Sequence, residues 1–334
     1  DPNDAGYLHA LASVYRDLGQ NDVAADTLAK ALALDPTRTE WRAELGDIYL
    51  AAGDPSRARA TLQAARDMAP QQAAYHLRYA AAALADNDPQ AAEAALATAL
   101  ALDANAAPTH AALAQVYERQ GRLEDALSEY QRAVEIAPEV NELIAAGRLA
   151  RRLGYPHDAL RYLTRAVQIA PTAEVYAELG QAYEAENRLD EALQAYQQAV
   201  VAAPDTVQTH LLMGRLCLRL GNLEKSAAHF RRAVTLTPDE ATVYADLARC
   251  YEAQNRHDQA LVAYRKAIEC APQDATHYVG AGLALKHLKD YSEATEMFRA
   301  ALRLQPGQTE ALRQMAAVGA LSFLDRHQRK HVRD

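Results

Sequence analysis

Arginine and glutamate recur along this chain in a pattern that could do chemistry. Arg148, Arg151 and Arg152 form one cluster, Arg215 and Arg219 another. Guanidinium groups set side by side can clamp carboxylates or phosphates bidentately. Glu118, Glu184 and Glu252 return along the same stretch. They open the opposite reading, in which glutamates pair with the arginines and leave a solvated, self-neutralised face.

Other chemistries lack their residues. No phosphate loop, nucleotide fingerprint or nucleophile motif is present. The acidic pairs Glu124-Asp125 and Asp190-Glu191 stand where helices should begin, and there they favour the helix N-terminus. His76, His110 and His210 read as partly packed side chains. His327 and His331 have the four-residue spacing of metal ligands, with only Asp334 near as a further ligand. Cys217, Cys250 and Cys270 are odd in number and form no Cys-x-x-Cys, which argues against a disulfide framework or a zinc site. They read as three reduced core thiols, which fits a cytoplasmic location. No catalysis, metal or cofactor is expected of these residues.

The elements that carry these side chains repeat. Tyr117–Pro138, YERQGRLEDALSEYQRAVEIAP, returns as Tyr183–Pro204 and as Tyr251–Pro272. Prolines close successive copies at Pro2, Pro36, Pro70, Pro138, Pro171, Pro204, Pro238, Pro272 and Pro306, and Ala104 stands where one more is due. The interval is about 34 residues, which marks a helical repeat. Nine repeats are complete and a partial tenth starts at Thr309.

The pattern large–x2–Leu–Gly–x2–Tyr, then Ala–x3–aromatic, then Pro, resembles the tetratricopeptide repeat (TPR) family. Repeat six carries it whole, in Tyr176, Leu179, Gly180, Tyr183, Ala192, Tyr196 and Pro204. Repeat eight follows with Tyr244, Leu247, Ala248, Tyr251, Ala260, Tyr264 and Pro272. The resemblance implies an all-α fold: a right-handed α-solenoid, or superhelix, of nine TPR helix-turn-helix units plus a C-terminal capping helix. The array should span 1–308, in repeats of about 5–38, 39–72, 73–106, 107–139, 140–172, 173–206, 207–240, 241–274 and 275–308. A capping helix and basic tail should follow over 309–334. Small residues such as Gly180 and Ala192 let paired helices approach. Gly19, Gly53, Gly121, Gly154 and Gly221 should end first helices in the left-handed region.

Individual repeats depart from the pattern. Leu28 fills the aromatic position of repeat one, and Trp41 comes one residue early in repeat two. Repeat three is alanine-rich, with Asn87 for the glycine and no closing proline, and is expected to be the most weakly determined. The turns into repeats five and six are each one residue short, which should change the local twist. Lys289 replaces the glycine of repeat nine. The cap should present Leu312, Met315, Val318, Leu321 and Leu324 on one face, with Arg326, Arg329, Lys330 and Arg333 near its end.

In this family the first helices line an inner groove that often binds peptides, through the second, fifth, ninth, twelfth and thirteenth residues of each repeat. Carried over, that stripe implies Arg119, Arg148, Arg152, Arg215, Arg219 and Arg249 as partner-binding residues, with Leu77, Ile144 and Leu211 as apolar anchors. The fifth position alternates Ala43, Ala111, Ala177 and Ala245 with His9, Leu77, Ile144, Leu211 and Val279, a second period of two repeats. The lysine–asparagine carboxylate clamp of chaperone-tail-binding members is missing, and so is the inner asparagine ladder of O-GlcNAc-transferase-like enzymes.

The function implied is a non-enzymatic scaffold for a protein or peptide, acidic or amphipathic in character. The alternatives are a regulatory or substrate-recruiting module of a larger enzyme, and self-assembly through an uncapped N-terminal end. A net charge of −9 argues against generic nucleic-acid binding. No apolar run reaches the ~20 residues that span a bilayer. The start at Asp1-Pro2 reads as a fragment of a longer chain.

Overall fold

Alanine, leucine and aromatic residues at three- and four-residue spacing give each segment one apolar face, and helices follow throughout. The computed structural model describes residues 4–319, and among them no strand occurs. The chain divides into two compact halves, Asp1–Ile169 and Ala170–Asp334. The first half holds α1 (Ala5–Asp17), α2 (Asn21–Leu34), α3 (Thr39–Ala51), α4 (Pro55–Met68), α5 (Ala73–Ala85), α6 (Pro89–Leu102), α7 (Ala107–Arg119), α8 (Leu123–Ile136), α9 (Val140–Arg152) and α10 (Pro156–Ile169). The second holds α11 (Ala173–Ala185), α12 (Leu189–Ala202), α13 (Val207–Arg219), α14 (Leu223–Leu236), α15 (Ala241–Ala253), α16 (His257–Cys270), α17 (Ala275–His287) and α18 (Tyr291–Leu304).

Each odd-numbered helix packs closely on the even-numbered helix that follows it. Within each half, that second helix then packs on the first helix of the next repeat. The hairpin turns need a left-handed residue. The five glycines supply it, and so do Asn87, Asn187 and Asn255, at φ of 61°, 58° and 58°. Lys289 is driven to the same region, at φ 64°, without the freedom that makes it cheap for glycine.

The two shortened turns differ from the others. In several full-length turns the chain closes with a three-residue bond, as from Gln72 N–H to the Ala69 carbonyl and from Asp274 N–H to the Ala271 carbonyl. Before α9 and before α11 a two-residue bond replaces it, from Glu139 N–H to Ala137 and from Thr172 N–H to Ala170. One deleted residue is thus absorbed by a tighter turn.

Inside a hairpin, a small residue of the first helix faces a large one of the second. Gly180 lies against Tyr196, Gly214 against Phe230, Gly282 against Phe298, and Gly46 and Gly147 against Leu62 and Leu163. In repeat three, alanine-rich as it is, the buried Tyr75 and Tyr79 supply the missing bulk. Trp41 packs on the core of the first hairpin, stacked on His9 at 4.7 Å, with the Arg38 guanidinium on its ring.

Residues 309–319 form a further helix, whose Ala311 and Val318 are buried in the core around Phe298, with Met315 packed against it. Leu312, expected on that apolar face, is exposed instead. Leu321, Leu324, the basic tail and the pair His327/His331 lie outside the described residues. Cysteine placement also needs a correction. Cys217 and Cys250 are buried, but Cys270 is exposed. It is the last residue of α16, a place where Leu34, Met68, Ile136 and Ile169 of other repeats are exposed as well.

Candidate functional site

The glutamates and arginines of the first-helix stripe are not independent side chains. Glu118, Glu184 and Glu252 each accept a hydrogen bond from a tyrosine twelve residues on, from Tyr130 at 3.0 Å, Tyr196 at 2.6 Å and Tyr264 at 2.9 Å. Repeats five, seven and nine place Leu163, Phe230 and Phe298 at that tyrosine position, with no hydroxyl to give. The glutamates of repeats four, six and eight thus have a partner that repeats five, seven and nine lack. The signal is present in the sequence as Tyr against Leu or Phe.

The other oxygen of two of these carboxylates reaches forward to the next repeat. Glu118 Oε1 lies 3.4 Å from Arg152 Nη1, and Glu184 Oε1 lies 3.5 Å from Arg219 Nη1. The self-neutralising arrangement is therefore the one seen at these two places. Arg219 also donates to Asn187 Oδ1 at 2.7 Å. Exposed pairs of this length contribute about 0–1 kcal/mol, so they orient the guanidiniums more than they stabilise the fold.

A different arrangement holds Arg215 and Arg249. Both close on the carboxylate of Asp246, which is buried on α15. Arg215 donates from Nε at 2.8 Å and from Nη2 at 2.6 Å to Oδ2, while Arg249 Nη2 donates to Oδ1. Beside them opens a cleft of ≈ 390 Å³, lined also by Thr242, Tyr264 and Thr276. Burial pushes the Glu252 carboxyl above the usual range, and the Tyr264 hydroxyl and Arg249 pull it partly back.

The remaining expected residues fall out as follows. Arg119 donates to the Leu84 carbonyl at 2.9 Å and so ties α7 to α5. Arg148 is exposed on α9 and has contacts of its own within the fold. Leu77 is half-buried on α5. Ile144 and Leu211 need correcting as anchors. They are only 4% and 8% exposed, because neighbouring helices already cover them.

The histidines of the fourth position have a shared role that spacing alone did not suggest. Nε2 of His76, His110 and His210 meets the carbonyl six residues back, that of Pro70, Ala104 and Pro204, at 2.9, 3.1 and 2.8 Å. Each ring staples its helix to the preceding turn, and Tyr278 does the same to Pro272. His110 further bonds Glu129 through Nδ1 at 2.6 Å in a buried pair that Arg132 joins. Among the described residues no group of three or more His, Cys, Asp or Glu could hold a metal ion. No helix among them is long and apolar enough to cross a membrane.

Comparison with solved structures returns helical repeat proteins. A tetratricopeptide repeat protein from Parabacteroides merdae superposes with a TM-score of 0.55 at 18% identity, over 74% of this chain and 99% of its own. The APC/C hetero-tetramer Cut9–Hcn1 gives 0.52 at 14% identity, over 94% of this chain and 76% of its own. Both likenesses are of fold. A comparison with curated proteins gives no match. Sequence models of the family described as "Tetratricopeptide repeat" match residues 15–81 and 83–149, 172–239 and 205–273, and 277–308. With those matches on nearly all of its helix pairs, the chain belongs to the tetratricopeptide repeat family.

Proposed function

We propose that this chain is a non-enzymatic scaffold that binds a segment of a partner protein along its first-helix stripe. The tetratricopeptide fold supports an interaction scaffold in general. The observation that favours this particular face is the state of its arginines. Arg152, Arg215, Arg219 and Arg249 are each anchored at one edge by a carboxylate, yet their side chains stay 48–62% exposed. A guanidinium has five donors, so an anchored one still offers a free edge at little further entropic cost. An acidic or amphipathic segment suits such arginines in either half; in the first half the half-buried Leu77 and its exposed neighbours Ala81 and Ala85 add an apolar stretch on α5.

The test is charge reversal at Arg152→Glu with Arg215→Glu, followed by capture of partners from extract. Lost capture by a folded double variant supports the reading, and undiminished capture refutes it.

A second reading has its own observation. Tyr7 and Val14 of α1 and Leu18 just after it are 53%, 53% and 65% exposed. Of the equivalent residues in the next repeat, Ile48 is buried and Trp41 half-buried in the core that includes α2. Self-association through α1 would cover them. Sedimentation should then show a mass that rises with concentration and that Leu18→Glu abolishes; a concentration-independent mass sinks it.

A further inference from the structure

Asp246 stands at the sixth position of its repeat, outside the stripe carried over from the family, and its side chain is 4% exposed. It accepts from two arginines of two different repeats. One negative charge against two positive ones leaves this three-residue cluster itself with one net positive charge, although Asp274 also borders the cleft. The other donors nearby are committed: the Thr276 hydroxyl to Asp274 at 2.7 Å, Thr242 to Glu240 at 2.9 Å and Tyr264 to Glu252 at 2.9 Å. The outer edges of Arg215 and Arg249 are the uncommitted donors that remain among these groups. Long, flexible arginine side chains would otherwise sample many rotamers. Tied to one buried anchor, they are held in place before any ligand arrives.

Resting on the scaffold reading above, we infer that Asp246 is a positioning residue. It presets Arg215 and Arg249 as a two-pronged fork for a single carboxylate of the bound segment. A carboxylate fits better than a doubly charged phosphate, because Asp274 and Glu252 already bring negative charge to the same cleft.

The test turns on a sign. Asp246→Asn makes the cleft more positive, so electrostatics alone demands tighter binding of an anion. Loss of the anchor demands weaker binding. The probe is a fluorescent hexaglutamate peptide, with hexaglutamine as its neutral counterpart, titrated by anisotropy into the full chain. The wild type should prefer hexaglutamate. Asp246→Asn should weaken hexaglutamate binding about tenfold. Arg249→Lys, at an exposed position, keeps the charge without the fork and should lose a similar factor. Asp246→Asn binding as tightly as wild type or tighter, Arg249→Lys binding undiminished, or no preference between the peptides, overturns the inference. If partner capture is still lost on reversing Arg152 and Arg215, the scaffold reading survives that failure. If capture persists there while the sign test succeeds, Arg215 and Arg249 bind an anion but not the partner segment, and the inference falls together with the wider reading.

Discussion

Replacing Gly180 by alanine should destabilise the second half, although alanine is the better helix former. An added Cβ at Gly180 would lie 2.4 Å from Cε1 of Tyr196 and 2.5 Å from its Cδ1, against an ordinary contact of 3.4–4 Å. The ring would have to retreat by about 1 Å. It is fully buried, and its hydroxyl is tied to Glu184 at 2.6 Å. Alanine brings ~1 kcal/mol of helix propensity. Overpacking costs ~1–3 kcal/mol, and a strained bond to the carboxylate adds part of ~1.5–3 kcal/mol. The contact wins, with a net loss of ~1–2 kcal/mol.

The chain contains an informative exception. In repeat eight, Ala248 already stands at the position of Gly180, and its partner Tyr264 leans on the next repeat, where a Cβ at Gly280 would come within 2.3 Å of the ring. Glycine at the sixth position of the following repeat makes room for it. After Tyr196 that position is Leu212, packed against the same core. Leu212→Ala should therefore recover part of the loss in Gly180→Ala, a coupling that a double-mutant cycle measures. Urea unfolding followed by circular dichroism is the assay. Gly180→Ala as stable as wild type, or more stable, would refute the account.

Three further outcomes are expected. Lys289→Gly should stabilise by ~0.5–1 kcal/mol, since a left-handed lysine costs ~1–2 kcal/mol and glycine returns part of that as chain entropy; an unchanged or lowered midpoint contradicts this. Of the three thiols, Cys270 alone should react quickly with a thiol reagent in the native protein. Burial pushes the Cys217 and Cys250 thiols up as well as shielding them, and three equal rates would contradict that. His229 is held below its ordinary value by burial, then by His210 and Lys225. The unfolded chain therefore binds the proton more readily. The stabilising share of neutral His229 is complete above its unfolded value of about 6.5 and is lost as the pH falls toward the folded one. His229→Gln should flatten the drop in denaturation midpoint between about pH 7.5 and 5.5 relative to wild type, and an unchanged slope would count against it.

Local periodicity was enough to read the helices, their turns and the family. Repeats of ~34 residues restate the same small, large and left-handed positions many times over. Gly180 opposite Tyr196 and the left-handed glycines follow from that repetition, because each requirement is satisfied within one hairpin. Contacts between hairpins are a different matter. That Glu118 is shared by Tyr130 and Arg152, that Asp246 gathers arginines from two repeats, and that His210 reaches back to Pro204 depend on the distance and angle at which successive helices meet. The same is true of the burial of Ile144 and Leu211 and the exposure of Cys270. Residue type sets what a side chain can bond to; only the stacking of one repeat on the next decides which partner lies within reach and which face is left to water.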